Sequence, residues 1–482
     1  MSFSRRNFLK NTTAAAGGLL LPGLPGYSSV EALNDDVVNT VSKSKNRKQV
    51  FNMCGYAAPK IPVVRIGYVG IGGRGSWAVN RMTNIKGVEI KALCDVREAA
   101  VKSNQQTLQK AGWPSAREYY GDNNAWKKLC EQDDIDLVYI ATPWEWHVPI
   151  AVYAMEHGKH VALEVPGART LEECWQLVET SERTKKHCMQ LENCCYDFFE
   201  TLTINMAQQG VLGELVHAEG AYLHPLVEMM FGERPKNAND YAGEGAWRWK
   251  ENQKNGNLYP THGLGPVAQA MNINRGDKMD YMTSMSSNDF MMEALAEKLA
   301  AGDAWYKQYT GKHYRGNMNT SVVKTSKGKT IMVQHDVSSP RPYSRIHALS
   351  GTKGFVQKFP EPATIALEHE PVDAKKMKQL EEQYTPELIR HVEQAAKKIG
   401  GHGGMDFIMD WRLIDCLRNG LPLDMDVYDL ATWCAVTPLS IWSVAHRSNS
   451  IDVPDFTGGS WKSNKPVDLT LRGGGNTEIV KQ

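Results

Sequence analysis

The chain has 482 residues, 42% of them apolar, which is enough to bury a substantial core and to build two domains. Lysine and arginine number 55 against 54 acids, and the resulting net charge of +1 gives no electrostatic case for nucleic acid or an anionic membrane as partner. The nine cysteines are odd in number and fall in no framework spacing, and neither a Cys-x-x-Cys pair nor a His-Glu-x-x-His occurs, so a disulfide scaffold and a metal site are both unexpected.

Residues 4–10 read Ser-Arg5-Arg6-Asn-Phe-Leu-Lys, the twin-arginine pattern of a bacterial export signal. The stretch from Asn11 to Leu24 is moderately apolar, is interrupted by Pro22 and falls short of the roughly 20 residues a spanning helix needs. No cysteine follows it closely, so a removable signal over 1–32 is expected rather than a membrane or lipid anchor. Residues 33–60 are polar and without pattern, and read as a linker. The twin-arginine route carries folded proteins, so a dinucleotide enzyme exported this way would keep its cofactor and would sit in the periplasm or outside the cell. With no nicotinamide pool there, a chemistry that oxidises and re-reduces within one cycle suits it better than an ordinary dehydrogenase.

From Pro62 the pattern is βαβ. The apolar run from Val63 leads into Gly70-x-Gly72-x-x-Gly75, a helix is expected from Ser76 to Ile85, and a second strand from Val88 ends at Asp95, twenty residues beyond Gly75. That acid is placed to accept hydrogen bonds from ribose hydroxyls and to repel a 2′-phosphate, which predicts NAD rather than NADP. Arg74, beside Gly73 inside the loop, could steady a phosphate. A buried strand from Ile135 to Pro143 follows, then Trp144-Glu-Trp-His147, a helix, and Glu156-His-Gly-Lys-His-Val-Ala-Leu-Glu164-Val165-Pro166.

This series resembles the Gfo/Idh/MocA superfamily of sugar and inositol oxidoreductases, over about Pro62 to Phe456. The resemblance implies an α/β fold: an N-terminal Rossmann dinucleotide-binding domain over 61–190, a C-terminal α/β domain with a large, mostly antiparallel sheet over 191–456, and a tail over 457–482. One departure is chemical. Most relatives carry Glu-Lys-Pro where this chain has Glu164-Val165-Pro166, so the lysine that usually assists hydride transfer is missing.

Further on, Cys188-Met-Gln-Leu-Glu-Asn193-Cys-Cys-Tyr196 precedes an alternating strand, Val216 to Tyr222, that can deliver Tyr222 into a cleft. The stretch Gly245-Ala-Trp247-Arg248-Trp249, followed by Tyr259-Pro-Thr-His262-Gly-Leu-Gly-Pro, is dense in flat aromatics for C–H faces and in polar groups for hydroxyls. The rival reading is a surface loop whose aromatics pack on the core. His262 falls where the superfamily carries a substrate-facing histidine, although the usual acid of that motif is absent. These motifs, with Glu-Val-Pro, Trp-x-x-His and the leader, resemble the NAD-dependent α-N-acetylgalactosaminidases of glycoside hydrolase family 109.

That resemblance implies hydrolysis of a terminal N-acetylhexosamine by oxidation at C3, loss of the C2 proton with expulsion of the C1 substituent, addition of water and reduction. It implies a cofactor site of Gly70, Gly72, Gly73, Arg74, Gly75, Asp95, Trp144, His147, Glu164, Val165 and Asn193, and sugar contacts from Tyr222, Arg248, Tyr259, His262 and Tyr343. Superfamily habit implies a homodimer through the open face of the second sheet. By chemistry, a neutral His262 suits the base for the C3 hydroxyl, and Tyr222, Tyr259 or Tyr343 could serve the C2 proton or the enolate. His402, flanked by Gly400, Gly401, Gly403 and Gly404 after a charged helix expected over 377–399, suits a mobile acid for the leaving oxygen, against the plainer reading of a helix cap. Two alternatives stand beside this: a glucose-fructose-oxidoreductase-like enzyme with tightly held NAD(P), and a non-catalytic sugar-binding protein.

Overall fold

The computed structural model describes residues 27–235, 243 and 245–480. The Arg5-Arg6 motif lies outside them, whereas residues 27–32, the end of the expected signal, fall within the first described helix. Six strands form a parallel sheet: β1 (Val64–Val69), β2 (Val88–Cys94), β3 (Arg117–Tyr119), β4 (Leu137–Ile140), β5 (His160–Leu163) and β6 (Cys188–Gln190), in the order β3-β2-β1-β4-β5-β6. Every residue of β4, β5 and β6 is buried, as expected of strands covered by helices on both faces. Strand order reverses between β1 and β4, and the crevice at their carboxyl ends is where such sheets bind ligands.

The second sheet has nine strands: β7 (Leu215–Leu223), β8 (Met279–Ser286), β9 (Asn319–Thr325), β10 (Thr330–Asp336), β11 (Ala348–Gly351), β12 (Gly354–Gln357), β13 (Thr364–Leu367), β14 (Glu370–Pro371) and β15 (Ile451–Asp452). Their order is β14-β13-β12-β11-β7-β10-β9-β8-β15, and all neighbours are antiparallel except β7 with β10. One face is covered by helices. On the other, Val216, Tyr281, Met285 and Val322 are exposed.

Two long helices join the halves. Met405–Asn419 is buried almost all round and packs on the Gly73–Met82 helix, while Val427–Ala445 lies against both the Leu171–Thr184 helix and β8. Among the described residues no helix is long and apolar enough to cross a membrane.

Three segments differ from the sequence expectation. The supposed linker forms the Tyr27–Ser44 helix, buries Val41 and Met53, and straps the two domains together: Val50 N donates to Glu182 (2.8 Å), Gln49 to the Tyr428 hydroxyl (2.7 Å) and Asn52 to Asn464 (2.8 Å). Its apolar residues are too sparse to show a period, so only tertiary contact reveals the order. The helix expected over 377–399 is two, Ala374–Tyr384 and Glu387–Ile399, because Pro386 cannot continue the first. The tail after 456 buries Val467, Leu469 and Leu471 and returns to the first domain through an Ile85–Ile479 bridge.

Candidate active site

The glycine loop between β1 and the Gly73–Met82 helix is shaped for close backbone approach. Gly70 has φ +81°, and a Cβ there would lie 2.7 Å from the Ala141 carbonyl; a Cβ on Gly75 would lie 2.0 Å from Gly70 O. On Gly73 a Cβ would meet nothing within 4 Å, so space opens above the loop, whereas on Gly72 it would touch Arg97. No side chain caps the helix start, and its first N–H groups and dipole are available to a pyrophosphate. These features fit a dinucleotide.

Asp95, at the end of β2, is buried and accepts from Ile71 N and Arg97 N at 3.0 Å each. It therefore steadies the glycine loop as well as facing the ribose position. Replacing Asp95 by Ala is expected to weaken dinucleotide retention about 10- to 100-fold, the value of one charge-assisted hydrogen bond, with folding intact. Cofactor content after gel filtration reads this out.

The other cofactor residues divide into two groups. Arg74 donates to Glu164 (2.7 Å) and to both oxygens of Asp406 (2.7 and 3.1 Å), and Asn193 donates to Asp406 (2.6 Å). Trp144 and Val165 are buried in the wall beside them. His147 is placed differently: it is buried, and its two ring nitrogens lie 2.9 Å from the Pro166 and Thr142 carbonyls. These contacts tie His147 to the loops after β4 and β5.

The sugar-side residues converge. Tyr222 ends β7 and packs against Tyr259 (ring centroids 4.9 Å apart), His262 (5.0 Å) and Tyr343 (6.4 Å), and its hydroxyl lies 3.0 Å from His224 Nδ1. Trp144 links this cluster to Trp247 (5.0 Å) and Tyr259 (5.8 Å), and the Arg248 guanidinium lies over both indoles. The stretch read either as a sugar platform or as a surface loop is thus the short helix Gly245–Glu251 and the turn leading into Thr261–Ala270, facing the crevice. The Tyr343 hydroxyl accepts from Arg345 (2.8 Å), itself held by Glu200 and Asp197. Burial pushes the Tyr343 phenol up to about 12, with Arg345 pulling the other way.

Each histidine of interest is backed by a carboxylate. His262 Nδ1 donates to the fully buried Glu192 at 2.7 Å. Burial works against the Glu192 charge, yet the His262 contact and further hydrogen bonds hold its carboxyl below the usual range. His402 Nδ1 lies 2.9 Å from Asp406, and its side chain is 60% exposed against 1% for Asp406. His224 stands between the two: burial first, then His262 and His402, lower its basicity.

The loop that carries His402 has positive φ at five successive residues, 400–404. Gly400 does end the preceding helix, as the cap reading requires, with its N–H on Ala396 O (2.9 Å). The remaining glycines turn the chain onto the cofactor loop, and a Cβ on Gly401 would strike Asp406 at 2.7 Å.

Among the described residues, one group, Glu192, Cys194 and His262, has metal-ligand atoms within 4.8 Å of one another. Burial raises the Cys194 thiol well above its usual range, and its Sγ lies 3.6 Å from Asn193 Oδ1. Within this group the hydrogen-bonded pair is His262 and Glu192, with the thiol beside it. All nine cysteines are free, eight buried and Cys54 half-buried.

Glu192, Asp406, His224 and Arg345 escaped the sequence reading. Glu192 carried a signal, as an acid just past a buried strand on the side where ligands bind; Asp406 had one in its four-residue spacing from His402. His224 and Arg345 had none.

A dinucleotide crevice opening onto an aromatic, histidine-lined cleft on a second, mostly antiparallel sheet defines an α/β sugar-processing enzyme built on an oxidoreductase frame. Residues 64–191 match the oxidoreductase family NAD-binding Rossmann fold, and residues 196–463 match the glycosyl hydrolase 109 C-terminal domain. The chain is 48% identical to a glycosyl hydrolase family 109 protein of Porphyromonas gingivalis, covering 89% of this chain and 91% of that one. It is also 48% identical to an alpha-N-acetylgalactosaminidase of Bacteroides fragilis, covering 85% and 96%. The chain belongs to glycosyl hydrolase family 109. The fold is shared with levoglucosan dehydrogenase in complex with NADH and levoglucosan (TM-score 0.57, 16% identity, 81% of this chain and 100% of that one) and with an aldose-aldose oxidoreductase of Caulobacter crescentus (0.56, 15%, 81% and 100%).

Proposed function

We propose that this protein is an exported glycosidase that removes terminal α-linked N-acetylgalactosamine from glycans, with NAD retained throughout a redox-neutral cycle. The observation that carries the reading is the pairing of two carboxylate-backed histidines, His262 and His402, around one cleft at the mouth of a dinucleotide crevice. The name borne by the Bacteroides fragilis relative supports the sugar. Gly70, Gly72, Gly73, Gly75, Arg74, Asp95 and Asn193 would hold the dinucleotide, and a nicotinamide bound there supplies reversible oxidation of a sugar carbinol carbon.

The chain's own groups handle protons and position. His262 takes the proton of the C3 hydroxyl. The C3 ketone acidifies C2; the C2 proton passes to the Tyr222 oxygen as Tyr222 gives its own to His224 Nδ1, and the electron pair left on C2 expels the oxygen on C1, which His402 protonates. Tyr343 accepts a hydrogen bond from Arg345, so its own O–H is directed elsewhere and can donate to the enolate oxygen. Tyr222, Tyr259 and Arg248 hold the ring, and water added across the resulting enone restores the hydroxyl at C1. Val165, in place of the usual lysine, counts against a simple alcohol dehydrogenase. Export rests on Arg5 and Arg6, and the exposed face bearing Tyr281 and Met285 suits a homodimer.

The mechanism is tested by hydrolysing an aryl α-N-acetylgalactosaminide in deuterated water. Elimination and re-addition place deuterium at C2 of the released sugar, seen as one added mass unit on carbon, with no net NADH formed. Product without carbon-bound deuterium would exclude elimination.

A further inference from the structure

We infer that Glu192 is the positioning residue that fixes His262 as a base, standing in for the acid that the Tyr259-Pro-Thr-His262 motif lacks. The inference rests on the reading of His262 given above and adds the group that sets its protonation geometry. The stretch Leu258-Tyr259-Pro-Thr-His262 offers no acid of its own, and Leu258 is buried. The carboxylate reaches the ring instead from Glu192, 70 residues earlier, just past β6 in the first domain.

The geometry decides the tautomer. A carboxylate only accepts, so at 2.7 Å His262 Nδ1 must carry the proton. Nε2 then presents a lone pair, which is the form a base needs and which a free imidazole adopts only part of the time. When Nε2 takes the hydroxyl proton, the imidazolium forms beside a fully buried negative charge that cannot be screened by water. The other groups facing His262 are Cys194, Tyr222, Tyr259 and His224. Burial holds the thiol and the Tyr259 phenol neutral, and His224 has its basicity lowered, so none of these three offers a competing anion. Glu192 lies just past β6, the last strand of the dinucleotide sheet, while His262 begins a helix packed on the second sheet, so the bond sets the base relative to the crevice.

Glu192→Gln keeps size and an amide oxygen that can still accept from Nδ1 but removes the charge, whereas Glu192→Leu removes the acceptor. Three readouts follow. Imidazole-¹⁵N spectra of histidine-labelled protein, with His262 assigned by its absence in His262→Gln, show the Nδ1–H tautomer in the native enzyme and in Glu192→Gln, and a mixture of the two tautomers in Glu192→Leu. In Glu192→Leu kcat/KM falls about 100-fold or more for aryl and alkyl glycosides alike, as for loss of a general base, with dinucleotide content unchanged. The residual activity shows a larger isotope effect with substrate deuterated at C3, and the ascending limb of its pH profile moves to lower pH because the imidazolium has lost its counter-charge. Glu192→Asp restores the limb in part.

An Nε2–H tautomer in the native protein overturns the inference whether or not any variant folds. So does a Glu192→Leu enzyme that loses thermal stability but keeps tautomer, isotope effect and pH limb. The spectra do not depend on turnover, so failure of the elimination mechanism, read by deuterium at C2, is distinguished from failure of this assignment.

Discussion

Replacing His402 by Ala is expected to lower kcat/KM about 100- to 10,000-fold on alkyl glycosides and glycans, and by no more than about tenfold on 4-nitrophenyl glycosides. A phenolate departs unaided, whereas an alkoxide needs a proton as the C1 bond breaks. In the proposed mechanism His402 gives that proton, with Nδ1 on Asp406 at 2.9 Å and the side chain exposed. His262→Ala should instead damage every substrate alike, because oxidation at C3 precedes departure whatever the aglycone. Parallel kinetics on aryl and alkyl substrates check both. Equal impairment of His402→Ala on the two classes returns that loop to a plain helix cap.

Replacing Asp406 by Ala is expected to be the most damaging single change away from the sugar itself. Asp406 is buried and takes hydrogen bonds from Arg74, Asn193 and His402, with Arg81 at 3.5 Å. Removing it leaves two arginines short of a counter-charge, and breaking a buried pair in this way costs about 3–5 kcal/mol. Burial alone would raise its carboxyl, but His402 and the two arginines hold it far below the usual range. Its stabilisation is therefore present above the unfolded carboxylate value of about 4 and is lost as pH falls below that. Calorimetry across pH 3 to 7 should show a large drop in Tm for the variant at pH 7 that narrows toward pH 3. Glu200, held down to about 2 against burial by Arg345 and Lys358, keeps some acid sensitivity in both proteins.

The sequence made the first domain legible because its signals are local. A strand, three glycines, a helix and an acid at fixed spacing admit few other folds, and β1, β2 and Asp95 lie where the spacing puts them. Aromatic and histidine positions on the sugar side were visible as composition, and Tyr222, Tyr259, His262 and Tyr343 do meet in one cluster. What stayed hidden were partners from distant parts of the chain. Glu192 and Arg345 look like ordinary charged residues until the fold brings them to His262 and Tyr343. The two carbonyl partners of His147 also come from separate loops. The order in residues 45–53 likewise depends on Glu182, Tyr428 and Asn464, none of which is a neighbour in sequence.

The chain ends carry a mechanical consequence. Behind the crevice, Lys86 N and Val480 N pair with Glu478 O and Asn84 O at 2.9 and 2.8 Å, while Thr477 O accepts from the Trp411 indole at 2.9 Å. On the opposite flank, residues 49–52 tie Glu182 of one domain to Tyr428 and Asn464 of the other. Tied at both edges, the domains resist swinging apart. The turn at 400–404, four of whose five residues are glycine, is then the part of the described cleft rim with the most backbone freedom to move as a ligand enters.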